Sequence, residues 1–223
     1  MSHPLHPRLV LVHGTATTPT IWDDVVPLLR AAGCEVVAPE RPRTGDLTRE
    51  LAWLADLSSG AWVVGVSGGA TLGLAAACAG LPLAGAVLHE PAVGSLVPDL
   101  LSPVAAAFAE GGTARLGSVL YGPRWSLGSG PEGDDAVTAR ELAMFRGFEP
   151  APLPATAGRV LVTYGGLSLP VREAAAAAAG GMGAAVRELE GVGHLAPVED
   201  AAGFAGVVLG WVASSAEGGP IAS

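Results

Sequence analysis

Residues 63–77 read VVGVSGGATLGLAAA. Valines on one side and alanines and leucines on the other describe a strand giving way to a helix. Between them one hydroxyl, Ser67, stands among Gly65, Gly68 and Gly69. Gly65, Ser67 and Gly69 fit G-x-S-x-G, a serine on a sharp strand-to-helix turn that tolerates only small neighbours and pushes its hydroxyl out at the end of a sheet. The helix start behind such a serine aims unpaired N–H groups at any negative charge developing there. A serine that merely caps a helix in a glycine turn reads the same way, so the pentapeptide alone leaves both readings open.

Outward from this turn the chain alternates. RLVLVHG (8–14) is a continuous apolar run, the mark of a strand buried on both faces. TIWDDVVPLLRAAG (20–33) has apolar residues at helical spacing and a stop at Gly33. CEVVAP (34–39), AWVVGV (61–66), LAGAVLHEP (83–91), RVLVTYGG (159–166) and AVRELEG (185–191) supply further strands. TRELAWLADLSS (48–59), GATLGLAAACAG (69–80), VREAAAAAAG (171–180) and residues 201–214 supply helices. Strand alternating with helix implies an α/β chain whose parallel sheet is covered on both faces. Between Pro91 and Gly158 the alternation breaks into SPVAAAFAE, TARLGSVLYG and DAVTARELAMFRGF, helical patterns without a clear strand. Residues 92–150 are therefore expected to form a small helical cap above the sheet of a single domain, and residues 215–223 a flexible tail.

The bulk numbers bound the function. At 223 residues the chain is expected to bury about 70–75% of its unfolded surface. Half of it is hydrophobic and 15% charged, which excludes general disorder. A net charge of −9, with 12 Lys and Arg spread along the chain, argues against nucleic acid as a partner. Cys34 and Cys78 lie in apolar surroundings without metal-ligand spacing and read as inert core residues. The run from Ala61 to Leu88 is long enough to mimic a membrane span, but Gly65, Gly68, Gly69, Gly80 and Pro82 punctuate it. The N-terminal apolar run is too short for a signal-peptide core. The expectation is a cytoplasmic protein with no membrane partner.

Two more features bear on Ser67. His13-Gly14 ends the first strand, where the following loop can offer a backbone N–H, from Thr15 or Ala16, beside that of Gly68. His194 stands in the glycine loop of LEGVGHLAPVED, after the last strand and at the same sheet edge. With VHG, VVPLLRAAGCEVVAPERPRTGD, GVSGGA and GVGHLAPVED in this order and spacing, nearly the whole chain resembles the α/β-hydrolase family. The resemblance implies that the first and third strands lie side by side with Ser67 at the switch point of the sheet. It also implies a mostly parallel, six-stranded sheet without the two extra strands with which the family often starts.

A Ser–His pair of this kind needs a carboxylate to hold the imidazole. The family position, just after the next-to-last strand in a G-x-x-D segment, is here YGGLSLP, with Ser168 in place of the acid. Glu90 ends the strand after the nucleophile helix, a position from which some relatives supply the acid, among them certain haloalkane dehalogenases and lactone hydrolases. A carboxylate there needs a partner, and His194 is a natural one. The other reading has Glu90 pair with an arginine such as Arg172 or cap the following loop, and Asp200 and Glu199 are its weaker rivals for the acid. Haloalkane dehalogenases attack with an aspartate, so a serine at the elbow points to acyl chemistry.

The expectation is a serine hydrolase that cleaves a small hydrophobic ester or lactone through an acyl-enzyme. Ser67 is its nucleophile, His194 its base, Glu90 its acid, and Gly68 with Thr15 its oxyanion hole. Trp22, Tyr121, Trp125, Met144, Phe145 and Phe148 are candidates for the substrate pocket, each also readable as ordinary packing. Arg124 and Arg146 are the candidate cations for an anionic substrate. No metal or organic cofactor is implied, since the five histidines form no ligand cluster and His3 and His6 fall in an N-terminus read as loose. Two alternatives stay open: a non-hydrolytic enzyme of the same fold, such as a lyase or a ring-forming enzyme, and a non-catalytic ligand-binding homologue.

Overall fold

The structure is a computed structural model that describes residues 6–122, 125, 126, 128 and 130–216. Six strands are β1 (Arg8–Val12), β2 (Glu35–Val37), β3 (Trp62–Val66), β4 (Gly85–His89), β5 (Arg159–Gly165) and β6 (Ala185–Leu189). All are parallel, in the order β2-β1-β3-β4-β5-β6. The chain winds outward from β1 to one edge, returns across it through β3, and fills the other side. The first and third strands are neighbours, as the family resemblance implies.

Side chains of successive strand residues point to opposite faces, and each face has its own core. Val10, Val12, Val63, Leu88, Val160 and Val162 pack with α2 (Leu47–Ser58), α3 (Gly68–Cys78) and α6 (Pro170–Gly181). Leu9, Leu11, Val64, Val66, Val87 and Leu161 pack with α1 (Val25–Ala31) and with α8 (Ala201–Ala216), which follows the short α7 (Ala196–Glu199). Each Val or Leu so buried stabilises the fold by about 1.5–3 kcal/mol. α3 is buried on nearly every side, which explains its alanines and glycines.

Residues 92–150 contribute no strand among the described residues. They carry α4 (Ser102–Tyr121) and α5 (Asp135–Arg146). The two helical patterns around residues 102–122 form one span kinked at Gly111 and Gly112, where Gly112 takes φ +62°. The turn that restarts after the kink is capped from α5, the Thr113 N–H donating to Asp135 Oδ1 at 2.8 Å. At the C-terminus α8 reaches Ala216, two residues into the expected tail, and the remainder of that tail lies outside the described residues. Among the described residues no helix is long and apolar enough to cross a membrane.

Two local expectations change. His6 is tied down, its Nδ1 2.7 Å from the Gly33 carbonyl, while His3 lies outside the described residues. Cys34 is buried, but Cys78 is only half-buried, and its thiol donates to the Ala151 carbonyl.

Candidate active site

The carboxyl ends of the strands share one edge of the sheet, and the polar residues singled out above gather there. Val66 of β3 pairs with His89 of β4, so Ser67 and Glu90 leave the sheet side by side. The Ser67 N–H donates to the His89 carbonyl at 2.9 Å and the Glu90 N–H to the Thr163 carbonyl at 2.9 Å. Both residues have left-handed backbone, φ +55° and +53°, which is costly for a side-chain-bearing residue. The glycines flanking Ser67 follow from contact. A Cβ on Gly65 would lie 2.6 Å from the Ala70 nitrogen, and one on Gly69 would overlap the Val12 carbonyl. The turn therefore closes only with bare backbone at both positions.

Glu90 is buried and fully engaged. Its Oε1 accepts the Gly165 N–H at 2.9 Å, and its Oε2 lies 2.5 Å from His194 Nδ1 and 3.4 Å from Arg172 Nε. Both partners suggested by the sequence are thus present at one oxygen. Burial opposes the carboxylate charge, but His194, His89 and Arg172 outweigh it and hold the Glu90 carboxyl well below the usual range. Burial and then the Arg172 charge lower His194 to about 4, against the pull of Glu90. The imidazole is accordingly neutral at pH 7.

The rivals for the acid serve the backbone instead. Glu199 accepts the N–H groups of Gly193 (2.5 Å) and Leu195 (3.1 Å), bracing the loop on either side of His194. Asp200 accepts from Gly203 at the start of α8. Buried His89 adds a third brace, its Nε2 3.0 Å from the Gly193 carbonyl and its Nδ1 3.0 Å from Thr163 Oγ1. His194 Nε2 is buried without a hydrogen-bond partner. The face of the ring is covered by Tyr121, with centroids 5.4 Å apart and planes 23° from parallel. The Tyr121 hydroxyl is buried beside Ser67. Its phenol is pushed up to about 12 by burial, partly offset by the Ser67 hydroxyl.

Ser67, Gly68, Thr15, Thr71, Glu90 and Arg172 share a pocket of about 390 Å³, including its part open to solvent, whose remaining wall is mainly Leu101, Val104, Leu116, Leu120, Leu142 and Phe145. A wider depression of about 1470 Å³, also counted to solvent, adjoins it through Glu90, Val104, Leu120 and Arg172 and contains Tyr121 and His194. Gly68 opens α3, so its N–H has no intrahelical acceptor. Thr15 lies against it, its Oγ1 being 3.0 Å from where a Gly68 Cβ would stand.

The aromatic residues separate. Phe145 lines the Ser67 pocket and Tyr121 the adjoining depression. Trp22 is buried against Phe204 on the α8 side of the sheet, because the turn Pro19–Trp22 aims it into the core. Met144 and Phe148 are core residues of the opposite face. Trp125 donates from its indole to the Ala16 carbonyl at 2.7 Å and lines a separate groove with Thr17 and Thr18. These four do not reach the Ser67 pocket. Arg146 lines another depression and Arg124 lies outside the described residues. The cation at the pocket is Arg172, which sequence reading could name as a partner for Glu90 but not as a pocket wall. Its position four residues past Ser168, on the first turn of α6, is the only available signal. Among the described residues no group of three or more His, Cys, Asp or Glu side chains could hold a metal ion.

A model of the alpha/beta hydrolase family matches residues 9–207. No curated protein sequence matches. Among solved structures, the enol-lactonase from Burkholderia xenovorans LB400 superposes with a TM-score of 0.70 at 21% identity, over 96% of this chain and 94% of its own. A thermophilic esterase from Thermogutta terrifontis gives 0.70 at 19% identity, over 93% and 90%. The carboxylesterase CesB from Bacillus subtilis gives 0.65 at 16%, over 96% and 86%.

Proposed function

Since the chain belongs to the alpha/beta hydrolase family, we propose that it hydrolyses a small hydrophobic ester or lactone through an acyl-enzyme on Ser67. The observation that carries this reading is the 2.5 Å pairing of Glu90 Oε2 with His194 Nδ1, at the sheet edge where Ser67 is held in left-handed backbone. The pairing fixes the tautomer that leaves Nε2 free to accept a proton. The mainly apolar wall of the Ser67 pocket suits an uncharged acyl group. The names of the structural neighbours, an enol-lactonase, an esterase and a carboxylesterase, are consistent with that class.

In the proposed cycle the Ser67 hydroxyl turns from Tyr121 to His194 Nε2, gives up its proton, and its oxygen bonds to the substrate carbonyl carbon. The carbonyl electron pair moves to oxygen, which the N–H groups of Gly68 and Thr15 receive, each such donor lowering the barrier by about 3–4 kcal/mol. Glu90 stabilises the imidazolium. The C–O bond to the leaving group then breaks and His194 protonates the departing alkoxide. Water enters, loses a proton to His194, and attacks the acyl carbon. Collapse releases the acid and returns the proton to Ser67. Residues 92–150 act in this reading as a cap that walls the pocket with Phe145 and Leu142. The two unpaired cysteines accord with action in the cytoplasm.

The test is intact-mass spectrometry after treatment with a fluorophosphonate. A single adduct on the wild type that disappears in Ser67→Ala is expected, followed by turnover of short-chain esters or lactones. The unbonded Nε2 also fits a site that never acylates, as in a lyase or a ligand-binding homologue. An unlabelled wild type would favour that second reading.

A further inference from the structure

The loop from His13 to Thr17 is held by its carbonyl groups. The His13 carbonyl accepts from Arg41 Nη1 at 3.2 Å, that of Gly14 from Thr17 Oγ1 at 3.0 Å, and that of Thr15 from Tyr121 Oη at 2.5 Å. The Ala16 carbonyl accepts from Trp125 Nε1 at 2.7 Å and that of Thr17 from Arg43 Nη2. Five consecutive carbonyls thus take side-chain donors. In a trans peptide the N–H points away from the C=O, so fixing the carbonyls also fixes the direction of the loop's amides. Ala16 is itself held in left-handed backbone, φ +55°.

The donors do not come from the sheet. Tyr121 ends α4 and Trp125 follows it, and both guanidinium groups are bonded to Glu141 of α5. Two of the five donors, Tyr121 and Trp125, thus belong to the 92–150 segment, and the two arginines are held by Glu141 of that segment. Tyr121 has a second contact that the other donors lack, its ring lying on the face of His194. Its one hydroxyl proton is committed to the Thr15 carbonyl, so it cannot at the same time be given to a substrate oxygen.

We propose that Tyr121 is a positioning residue that holds the oxyanion loop and the His194 ring in register, the loop through the Thr15 carbonyl and the ring by stacking. This rests on the acyl-enzyme reading for its kinetic consequence but not for the clamp itself. Without the hydroxyl, the Thr15 carbonyl is a buried acceptor with no partner, free to turn with the Ala16 N–H about the Thr15 Cα–C bond, which unseats the residue whose own N–H is the proposed oxyanion donor.

Tyr121→Phe retains the ring and removes the bond. Two measurements on the full-length protein decide the matter: NMR amide exchange at residues 14–18, and ester kinetics resolved into kcat and KM. We expect at least about 10-fold faster exchange at Ala16 and its neighbours with β3 and β4 unchanged. We also expect kcat, and the rate of fluorophosphonate labelling, to fall about 10- to 100-fold with KM within about 3-fold. Tyr121→Leu, which also removes the stack, should lose more and move the pH profile of kcat/KM. Unchanged exchange in Tyr121→Phe overturns the proposal, and so does faster exchange with wild-type kcat. If the wild type neither turns over esters nor labels, the function proposed above fails, and the exchange comparison still decides whether Tyr121 holds the loop.

Discussion

Glu90 Oε2 meets His194 Nδ1 at 2.5 Å while the same oxygen lies 3.4 Å from Arg172 Nε. One carboxylate oxygen thus serves both an imidazole and a guanidinium, and the two make opposite demands on it. In the proposed cycle His194 needs the negative charge to become an imidazolium, whereas Arg172 neutralises that charge in the resting state. Glu90→Gln keeps the shape and removes the charge. It is expected to lower turnover by about 10⁴, the loss usual for a neutralised triad acid, and to slow fluorophosphonate labelling in parallel. Labelling at the wild-type rate would mean that the acid comes from elsewhere. Glu199 and Asp200 are spent on backbone N–H groups and are poor substitutes.

Arg172→Met separates the two demands. After burial, the Arg172 charge is the largest influence lowering His194, to about 4. A base must be neutral to act, so kcat/KM of the wild type should stay level on acidification well past the ordinary histidine value of about 6.5. Its acid limb belongs near pH 4–5. Without Arg172, Glu90 draws the proton onto His194, and the acid limb should move up by about one pH unit or more. A profile that stays in place in Arg172→Met would show that burial alone sets the imidazole.

In the proposed cycle the strain at Ser67 serves acylation and not stability. The Ser67 φ of +55° costs a residue with a side chain about 1–3 kcal/mol, and glycine adopts that backbone freely. Ser67→Gly should therefore abolish labelling yet raise the melting temperature by about 2–4 °C, after allowance for glycine's greater unfolded-state freedom. Calorimetry of the two proteins gives the answer, and a lower melting temperature for Ser67→Gly would refute the strain.

How far the sequence could be read follows the same physical division. The strand ends were legible because buried parallel strands are short apolar runs, and RLVLV, AWVVGV and AVLHEP leave little choice of boundary. Parallel strands send their carboxyl ends to one edge, so Ser67, Glu90 and His194 had to converge there. Side-chain direction was not legible where no sheet imposes it. Trp22 sits on a four-residue turn, too short for periodicity to reveal its face, and turns into the core. The orientation of Tyr121 and Trp125 depends on the kink at Gly111 and Gly112, which sets the second half of α4 at its own angle. Sequence supplied two helical patterns there but not the angle between them. For Glu90 the sequence offered two partners as alternatives, and nothing in it could indicate that one oxygen takes both.

Acid stability gives a further test of the buried polar groups, independent of catalysis. His13 and His194 are buried and each is lowered to about 4, burial being the chief cause, and buried His89 is lowered too. In the unfolded chain each histidine takes up its proton below about 6.5. Between about pH 6.5 and 4 the unfolded state therefore binds more protons than the native one, and stability rises with pH across that window. Lowering the pH from 7 to 5 should cost on the order of 2 kcal/mol for each of His13 and His194. For a chain of this size that corresponds to a melting temperature lower by about 10 °C. His13 contributes from outside the pocket: its Nε2 accepts the Arg41 N–H at 3.3 Å and lies 3.2 Å from Glu40. His13→Gln, which cannot titrate, should thus remove the share that His13 contributes to the pH dependence, even if it lowers the melting temperature at every pH. A wild-type melting temperature unchanged between pH 7 and 5 would show that these imidazoles gain protons without leaving the core.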